Sequence, residues 1–354
     1  MNVTNDTPFV DGLAIGMGPD RKPCLSVLLK ATFRIPVGAD GTLAPVADEQ
    51  QPITADDEFF KGDITGSVRL ETDVVPFKPR ADVVVVGRAY APGGKPVPAL
   101  DAAIRVGRVQ QAVRVFGNRR WVFPTRLVMV PVMSDPEPFT EMPLVYERAF
   151  GGFDHKGRAW SPQNHIGRGF IGKKTRESVD GKPLPNLEDP RRPIRSWDDQ
   201  PAPVGFGFYG RSWQPRAALT GRNLNDLDPE FGLPADFDFG FYNGAHPALQ
   251  VPGYLVGNEE VELRHLTPDG YRRFRLAGVQ PRLGLSVYTD GLGPDEAAAV
   301  DPQARPVQTH ALAANLDTLL FLTDEGVFCQ VWRGTHTLPE LSLDTIAGID
   351  LRMA

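Results

Sequence analysis

The chain has 354 residues, 41% of them hydrophobic, and a formal net charge of −6. That length supports a full apolar core and exceeds the usual size of a single core, so two β-rich halves sharing one body are expected. Lys and Arg are spread along the chain, which with the negative balance argues against binding driven by nucleic-acid phosphates.

Met1–Pro8 has neither the basic nor the apolar region of a signal peptide. No window approaches the roughly 18 apolar residues that span a bilayer, so a cytoplasmic location without membrane association is expected. Cys24 and Cys329 lie in apolar, strand-like contexts far apart. Two isolated thiols fit neither a disulfide framework nor a metal knuckle and read as core residues.

The chain holds 36 Gly and 34 Pro, which punctuate short runs of Val, Phe, Leu and Ile. This is the pattern of antiparallel β structure. Leu25–Ile35 alternates from Leu29 onward, placing Leu29, Ala31, Phe33 and Ile35 on one face of a half-buried strand. The run Val83–Val86 cannot share one face and predicts a central strand covered on both sides. Pro92-Gly93-Gly94 then turns the chain into Ala103–Val106, Ala112–Phe116 and Trp121–Phe123, which together with Val83–Val86 read as a meander. Pro131–Pro138 contains three prolines and is the best candidate for a joint.

Met142–Phe208 is different in kind. Its 67 residues carry 8 aromatics, 8 prolines and 9 glycines, with almost no helical or strand period. Loops beyond about 12–15 residues are normally disordered or functional, and this aromatic content opposes disorder. Ordered, irregular surface is the expectation.

β signals resume at Gly253–Leu266, where Val261, Leu263 and His265 share one face and Glu260, Glu262 and Arg264 the other. Phe274–Leu276, Arg282–Tyr288, Thr318–Thr323 and Val327–Arg333 continue the pattern, and Asp324-Glu325-Gly326 is a hairpin turn between the last two. Helix is expected only in short pieces, Asp295–Val300 and Leu224–Phe231. The fold class is therefore mainly β: antiparallel sheets forming a sandwich or partly open barrel, in two closely associated halves with long ordered loops. The expected divisions are a β-rich 1–135, an irregular 136–252 and a β-rich 253–354.

Three constellations bear on chemistry. The acidic cluster Asp226, Asp228, Glu230, Asp236 and Asp238 runs towards His246. Asp236, Asp238 and His246 could serve a β-rich hydrolase or carbohydrate-active enzyme as an acid–base or metal set. Against this, the spacing is not that of a calcium loop, and Pro234 and Pro247 mark turns that such Asp residues commonly cap. The six histidines form no metal-ligating pair, and the glycines of Gly12–Gly18 lack the flanking strand and helix of a phosphate cradle. Neither a cofactor nor a metal is expected.

The third constellation is aromatic and basic: Tyr146, Arg148 and Phe150; Arg192, Arg195 and Trp197; Arg211, Trp213 and Arg216. These residue types anchor protein interfaces through large contact area and forked hydrogen bonds. The same arginines can instead pair with internal carboxylates and staple the loops to the sheets. Both readings stand on sequence alone.

In order along the chain come Lys78-Pro79-Arg80-Ala81-Asp82-Val83, Gly117-Asn118-Arg119-Arg120-Trp121 and Met142–Gly152. Asn164–Phe170, Leu184-Pro185-Asn186-Leu187-Glu188, Pro203–Gly207, Trp213-Gln214-Pro215-Arg216 and Leu233–Asp238 follow. This series resembles the bacterial domain-of-unknown-function family numbered 2169 over nearly the whole chain. The resemblance implies an adaptor or chaperone of the type VI secretion system, which binds a toxic effector in the cytoplasm and assists its loading onto the valine-glycine-repeat spike or its PAAR tip. It carries no catalytic residues over. Asn164-His165 stands where an Asn-Pro pair is usual, and Thr220-Gly221-Arg222-Asn223-Leu224 replaces a Gly-Thr plus Asp and Trp element. A structural subunit of the secretion apparatus is a further alternative.

Overall fold

The computed structural model describes residues 2–125, 127, 129–173, 175–223, 226–228, 231–292, 296, 299–338 and 343–354. Fifteen strands build its three larger sheets. They are β1 (Asn2–Asn5), β2 (Val10–Met17), β3 (Pro23–Arg34), β4 (Ala81–Val86), β5 (Ala99–Val106), β6 (Val109–Phe116), β7 (Leu187–Glu188) and β8 (Gln250–Val251). The series continues with β9 (Glu260–Arg264), β10 (Tyr271–Arg275), β11 (Pro281–Tyr288), β12 (Val307–Leu312), β13 (Asn315–Leu322), β14 (Val327–Thr337) and β15 (Ile346–Met353).

A six-stranded sheet runs β8-β4-β13-β14-β3-β2, a five-stranded sheet β7-β6-β5-β9-β10 and a four-stranded sheet β1-β15-β11-β12. Pairing is antiparallel except for β4 with β13 and β1 with β15. Among the described residues no sheet closes into a barrel. Residues 1–135 and 253–354 supply neighbouring strands in all three sheets, so the two β-rich segments interleave.

The first two sheets share one apolar core. Phe274 on β10 meets Phe321 on β13 at 6.5 Å and Phe328 on β14 at 5.7 Å, and Phe328 stacks on Phe33 of β3 at 5.3 Å. Burying each such ring stabilises by about 2–3 kcal/mol. Val83–Val86 are buried on both faces, as a continuous apolar run requires. The hairpin at Asp324-Glu325-Gly326 pairs Leu322 with Val327.

Four expectations need correction. β3 is not half-buried: Leu29, Ala31 and Phe33 do share a face, but Ser26, Lys30 and Thr32 on the other are buried too. The polar segment 50–76 lies across that second face. Lys30 Nζ donates to Asp73 Oδ2 at 2.7 Å and to Thr54 Oγ1 at 3.2 Å, Ser26 bonds the Pro76 carbonyl, and Arg333 of β14 reaches the carbonyls of Asp73 and Val75. The expected meander is divided, since β4 belongs to the six-stranded sheet, β5 and β6 form a hairpin in the five-stranded one, and Trp121–Val122 pairs elsewhere with Val132–Met133.

His265 lies beyond β9 at φ 54, where its amide bonds Gly270, so it leaves the alternation that Val261 and Leu263 keep. Helix occurs at Arg176–Val179, capped by Thr175 and Ser178, and in short 3-10 turns. Of the helix expected at Asp295–Val300, residues 295, 297 and 298 lie outside the described ones and Glu296 is helical; of that expected at Leu224–Phe231, residues 224, 225, 229 and 230 lie outside, while Asp226–Asp228 is a bend and an isolated bridge and Phe231 a turn.

Candidate binding cleft

The irregular Met142–Phe208 stretch is fastened by side chains that replace a strand ladder. Asn164, fully buried, donates through Nδ2 to the carbonyls of Tyr146 (2.8 Å) and Phe150 (3.1 Å). Its own carbonyl accepts from Gly152 N, in a crossing so close that a Cβ on Gly151 would sit 2.0 Å from it. Asn186 donates to the Phe116 carbonyl, while its Oδ1 accepts from both Arg148 and Arg168. The Lys78–Asp82 pair does the same work on β4: Lys78 Nζ bonds Asp82 at 2.9 Å, and Asp82 accepts from the backbone of Gly244 and Ala245 and from Asn243 Nδ2. The Lys78–Val83, Asn164–Phe170 and Leu184–Glu188 motifs thus each carry a side chain that satisfies buried backbone.

Next to this frame stands an aromatic knot. Tyr146, Tyr209 and Trp213 meet edge to face, with ring centroids 5.2–5.6 Å apart. Burial, and then the neighbouring Tyr209, push the Tyr146 phenol far above its ordinary range, so its hydroxyl stays neutral. Beside it Glu71 receives two guanidinium groups, Arg216 Nη1 at 2.7 Å and Arg211 Nε at 3.0 Å. Burial alone would raise the Glu71 carboxyl, but Arg216 and then Arg211 bring it below its usual range. Arg216 also donates to the carbonyls of Tyr209 and Phe241, and Arg211 reaches Asp57 at 3.0 Å. Arg216 is a buried staple; Arg211 is half-buried and faces open space.

That space is a cleft of about 920 Å³, floored by Trp213 and Arg211 and walled by Phe59, Glu147, Phe153 and His165. The His165 ring meets Trp213 at 6.0 Å and Phe153 at 6.5 Å. Among its exposed lining residues are Ile64 (77% exposed) and Phe153 (45%) beside the polar Asp63, Thr65 and Ser212, and Trp160 (54%) stands next to Phe153 with ring centroids 6.1 Å apart. Exposed aromatic and aliphatic groups gathered at one rim mark interaction surfaces more often than scattered ones do.

Of the nine residues singled out in the sequence, Tyr146, Trp213, Arg211 and Arg216 come together here, with Arg148 on the same Tyr146–Arg148 turn. Tyr146 and Arg216 are interior, so they shape the cleft and do not touch its contents. Phe150 is buried in a separate small core with Trp121, Phe170 and Ile194, and Trp197 packs on that core. Arg192 and Arg195 are exposed beside it. Ile64, Glu71, Glu147, Phe153 and His165 were missed. Phe153 and His165 carried a signal, since both lie in the aromatic-rich stretch, whereas Ile64 and Glu71 come from the unpatterned segment that covers β3.

Asp236, Asp238 and His246 hold three different turns. Asp236 accepts from the amides of Arg222 and Asn223, Asp238 from Gly240, and His246 Nδ1 from Ala248. Burial lowers the His246 imidazole to about 4, although a bond to the Pro203 carbonyl opposes this. A neutral ring is what an accepting Nδ1 requires. Among the described residues no three His, Cys, Asp or Glu side chains gather to hold a metal, and no helix is long and apolar enough to cross a membrane. Cys24 and Cys329 are buried free thiols, each pushed up by burial to about 11.

A family model described as an uncharacterized protein conserved in bacteria (DUF2169) matches residues 20–333, and the chain belongs to that family. No curated protein and no solved structure matches it.

Proposed function

We propose that this protein is a cytoplasmic adaptor or chaperone that binds a type VI secretion effector and assists its loading onto the spike or its PAAR tip. The observation that carries the reading is the cleft beside the Tyr146–Arg148 turn, where Trp213 and a half-buried Arg211 meet the exposed Ile64 and Phe153, with Trp160 next to Phe153. This combination suits a protein segment, because aromatic rims supply contact area at low entropic cost and the guanidinium orients it. The walls are pre-formed by buried staples, which reduces the ordering cost of binding.

Release follows as competition: the spike takes the client when its combined interface exceeds that of the adaptor. Deleting the gene tests the proposal. The expected result is a fall in the abundance and secretion of one effector while the apparatus still assembles. Unchanged effector abundance and secretion contradicts it, and lasting stoichiometric association with the spike identifies a structural subunit instead.

A further inference from the structure

Each of the three larger sheets ends in two edge strands, and all of these but one are short, covered or crowded. β7 and β8 have two residues each and β1 has four. β10 is lined by the backbone of 41–44, where Ala44 N donates to the Arg275 carbonyl and Arg275 N to that of Thr42. On β2, Ile53 and Pro76 stand over Gly12 and Gly16, and Asp11 is tied to Asn5. The remaining edge is β12, Val-Gln-Thr-His-Ala-Leu. It holds no Lys, Arg, Asp, Glu or Pro and no bulge, the devices that ordinarily blunt an edge.

The alternation of an antiparallel ladder fixes which backbone groups of β12 point outward. Thr289 N donates to the Pro306 carbonyl at 3.0 Å, so these two residues form a hydrogen-bonded pair just before the strand. Counting along the register, Gln308, His310 and Leu312 bond to Val287, Leu285 and Leu283, and Val307, Thr309 and Ala311 are turned the other way. The contact of Ser286 Oγ with Thr309 Oγ1 at 2.8 Å agrees, because side chains approach most closely in a non-hydrogen-bonded pair. The other side of β11 agrees too: Ala354 N bonds the Gln280 carbonyl, which turns Arg282, Gly284 and Ser286 to β15. Val307, Thr309 and Ala311 thus present their N–H and C=O groups outward, and among the described residues none of these groups has a partner.

That pattern is its own complement. A second β12 laid antiparallel about Thr309 sets Thr309 against Thr309 and Val307 against Ala311, each as a hydrogen-bonded pair, so every outward donor meets an outward acceptor. The side chains of all three are exposed, and the pairing puts threonine on threonine and valine on alanine. No charge meets its own copy. The nearest, Arg305, falls opposite Ala313 and is held within its own chain by Asp290 at 2.7 Å.

We infer that β12 is a homodimer interface, joining the four-stranded sheets of two copies of this chain into one continuous sheet about a two-fold axis at Thr309. The inference goes beyond the secretion reading, since no residue of β12 lines the Trp213 cleft and the pairing requires no client. The test is sedimentation equilibrium of the full chain across micromolar concentrations, with circular dichroism as the check on folding. It compares the unaltered protein, Thr309→Pro, Thr309→Lys, Thr309→Glu and an equal mixture of the last two.

The unaltered chain is expected to dimerise. Thr309→Pro removes an outward N–H from each copy, leaves the bonds from β12 to β11 in place, and should weaken the dimer at least about tenfold. Thr309→Lys and Thr309→Glu set like charges on the axis and should each weaken it by roughly fivefold, while their mixture should associate more tightly than either alone. If the proline variant fails to fold, the two charge variants and their mixture decide, because position 309 is exposed. An unaltered chain that stays monomeric overturns the proposal and leaves the edge to an extended segment of another protein. A dimer indifferent to both charges and to their mixing overturns the assignment to β12.

Discussion

The six-stranded sheet and the irregular Met142–Phe208 stretch are held by different forces. In the sheet, β3, β14, β13 and β4 satisfy their backbones in regular ladders, and side chains such as Phe33, Phe321 and Phe328 contribute dispersion and apolar burial. In the stretch the backbone is satisfied by Asn164, Asn186, Arg168 and tight glycine crossings, while the neighbouring Tyr209–Ala245 region rests on Glu71–Arg216 and Lys78–Asp82. The difference teaches where each region is vulnerable: the sheet to lost volume, the loops to lost charge or a lost amide.

The largest effects should come from one substitution in each region. Phe328→Ala removes a ring shared by both sheets and is expected to cost about 3–5 kcal/mol in denaturant unfolding, lowering protection across the whole molecule. Arg216→Ala leaves Glu71 with only the half-buried Arg211 and should also cost about 3–5 kcal/mol. Its loss should appear first in the amides of 208–216 and 241–245. Replacing Glu71 and Arg216 together by Leu and Met should cost less than Arg216→Ala, because no buried charge is left unmatched. A double cost equal to the sum of the singles would erase the distinction between the regions.

A pH titration sharpens the contrast next. The His246 imidazole sits at about 4 in the fold, against an ordinary value of 6.5, because it is buried. Between those values the unfolded chain binds the extra proton, so stability is complete above pH 6.5 and falls as pH drops towards 4, by up to about 3 kcal/mol. His246→Asn, which can still accept from Ala248 N, should flatten that slope in urea melts at pH 4.5 and 7. An unaltered slope would show that the ring is not held neutral. The depressed Glu71 carboxyl adds a second loss below about pH 4.5, present in the parent and absent from the Glu71–Arg216 double variant.

Smaller effects separate the individual ties. Asn164→Ala removes two bonds to buried carbonyls and should cost about 1–3 kcal/mol, with thermal unfolding as the check. Tyr146→Phe should be neutral or stabilising by under about 1 kcal/mol, since the Tyr146 hydroxyl is buried without a protein hydrogen-bond partner. A clear destabilisation would give that hydroxyl a role that the geometry does not provide.

The sheets were largely legible in the sequence because apolar runs and turn residues act locally. Val83–Val86 announced a strand covered twice, and Asp324-Glu325-Gly326 announced its hairpin. Lys30 and Thr32 misled for the opposite reason: a polar residue on a strand reads as outward-facing until its partner is known, and Asp73 lies in a segment with no period. The same held for the candidate site. The aromatic and arginine chemistry around Tyr146, Arg211 and Trp213 was visible, but the sequence could not tell Arg216, spent on Glu71 inside the fold, from Arg211 at the cleft. Arg168 was not singled out, although its Nε satisfies the Glu147 carbonyl at 2.8 Å.

Native-state hydrogen exchange tests the central claim most directly, namely that side-chain ties make the irregular stretch as firmly ordered as the sheet and so pre-form the cleft. The amides of Gly152, Arg168 and Ile194, bonded to Asn164 O, Ala149 O and Glu188 Oε2, should be protected to within about tenfold of Val83–Val86. Exchange of those three amides at nearly the unfolded rate, with the strand still protected, would contradict it.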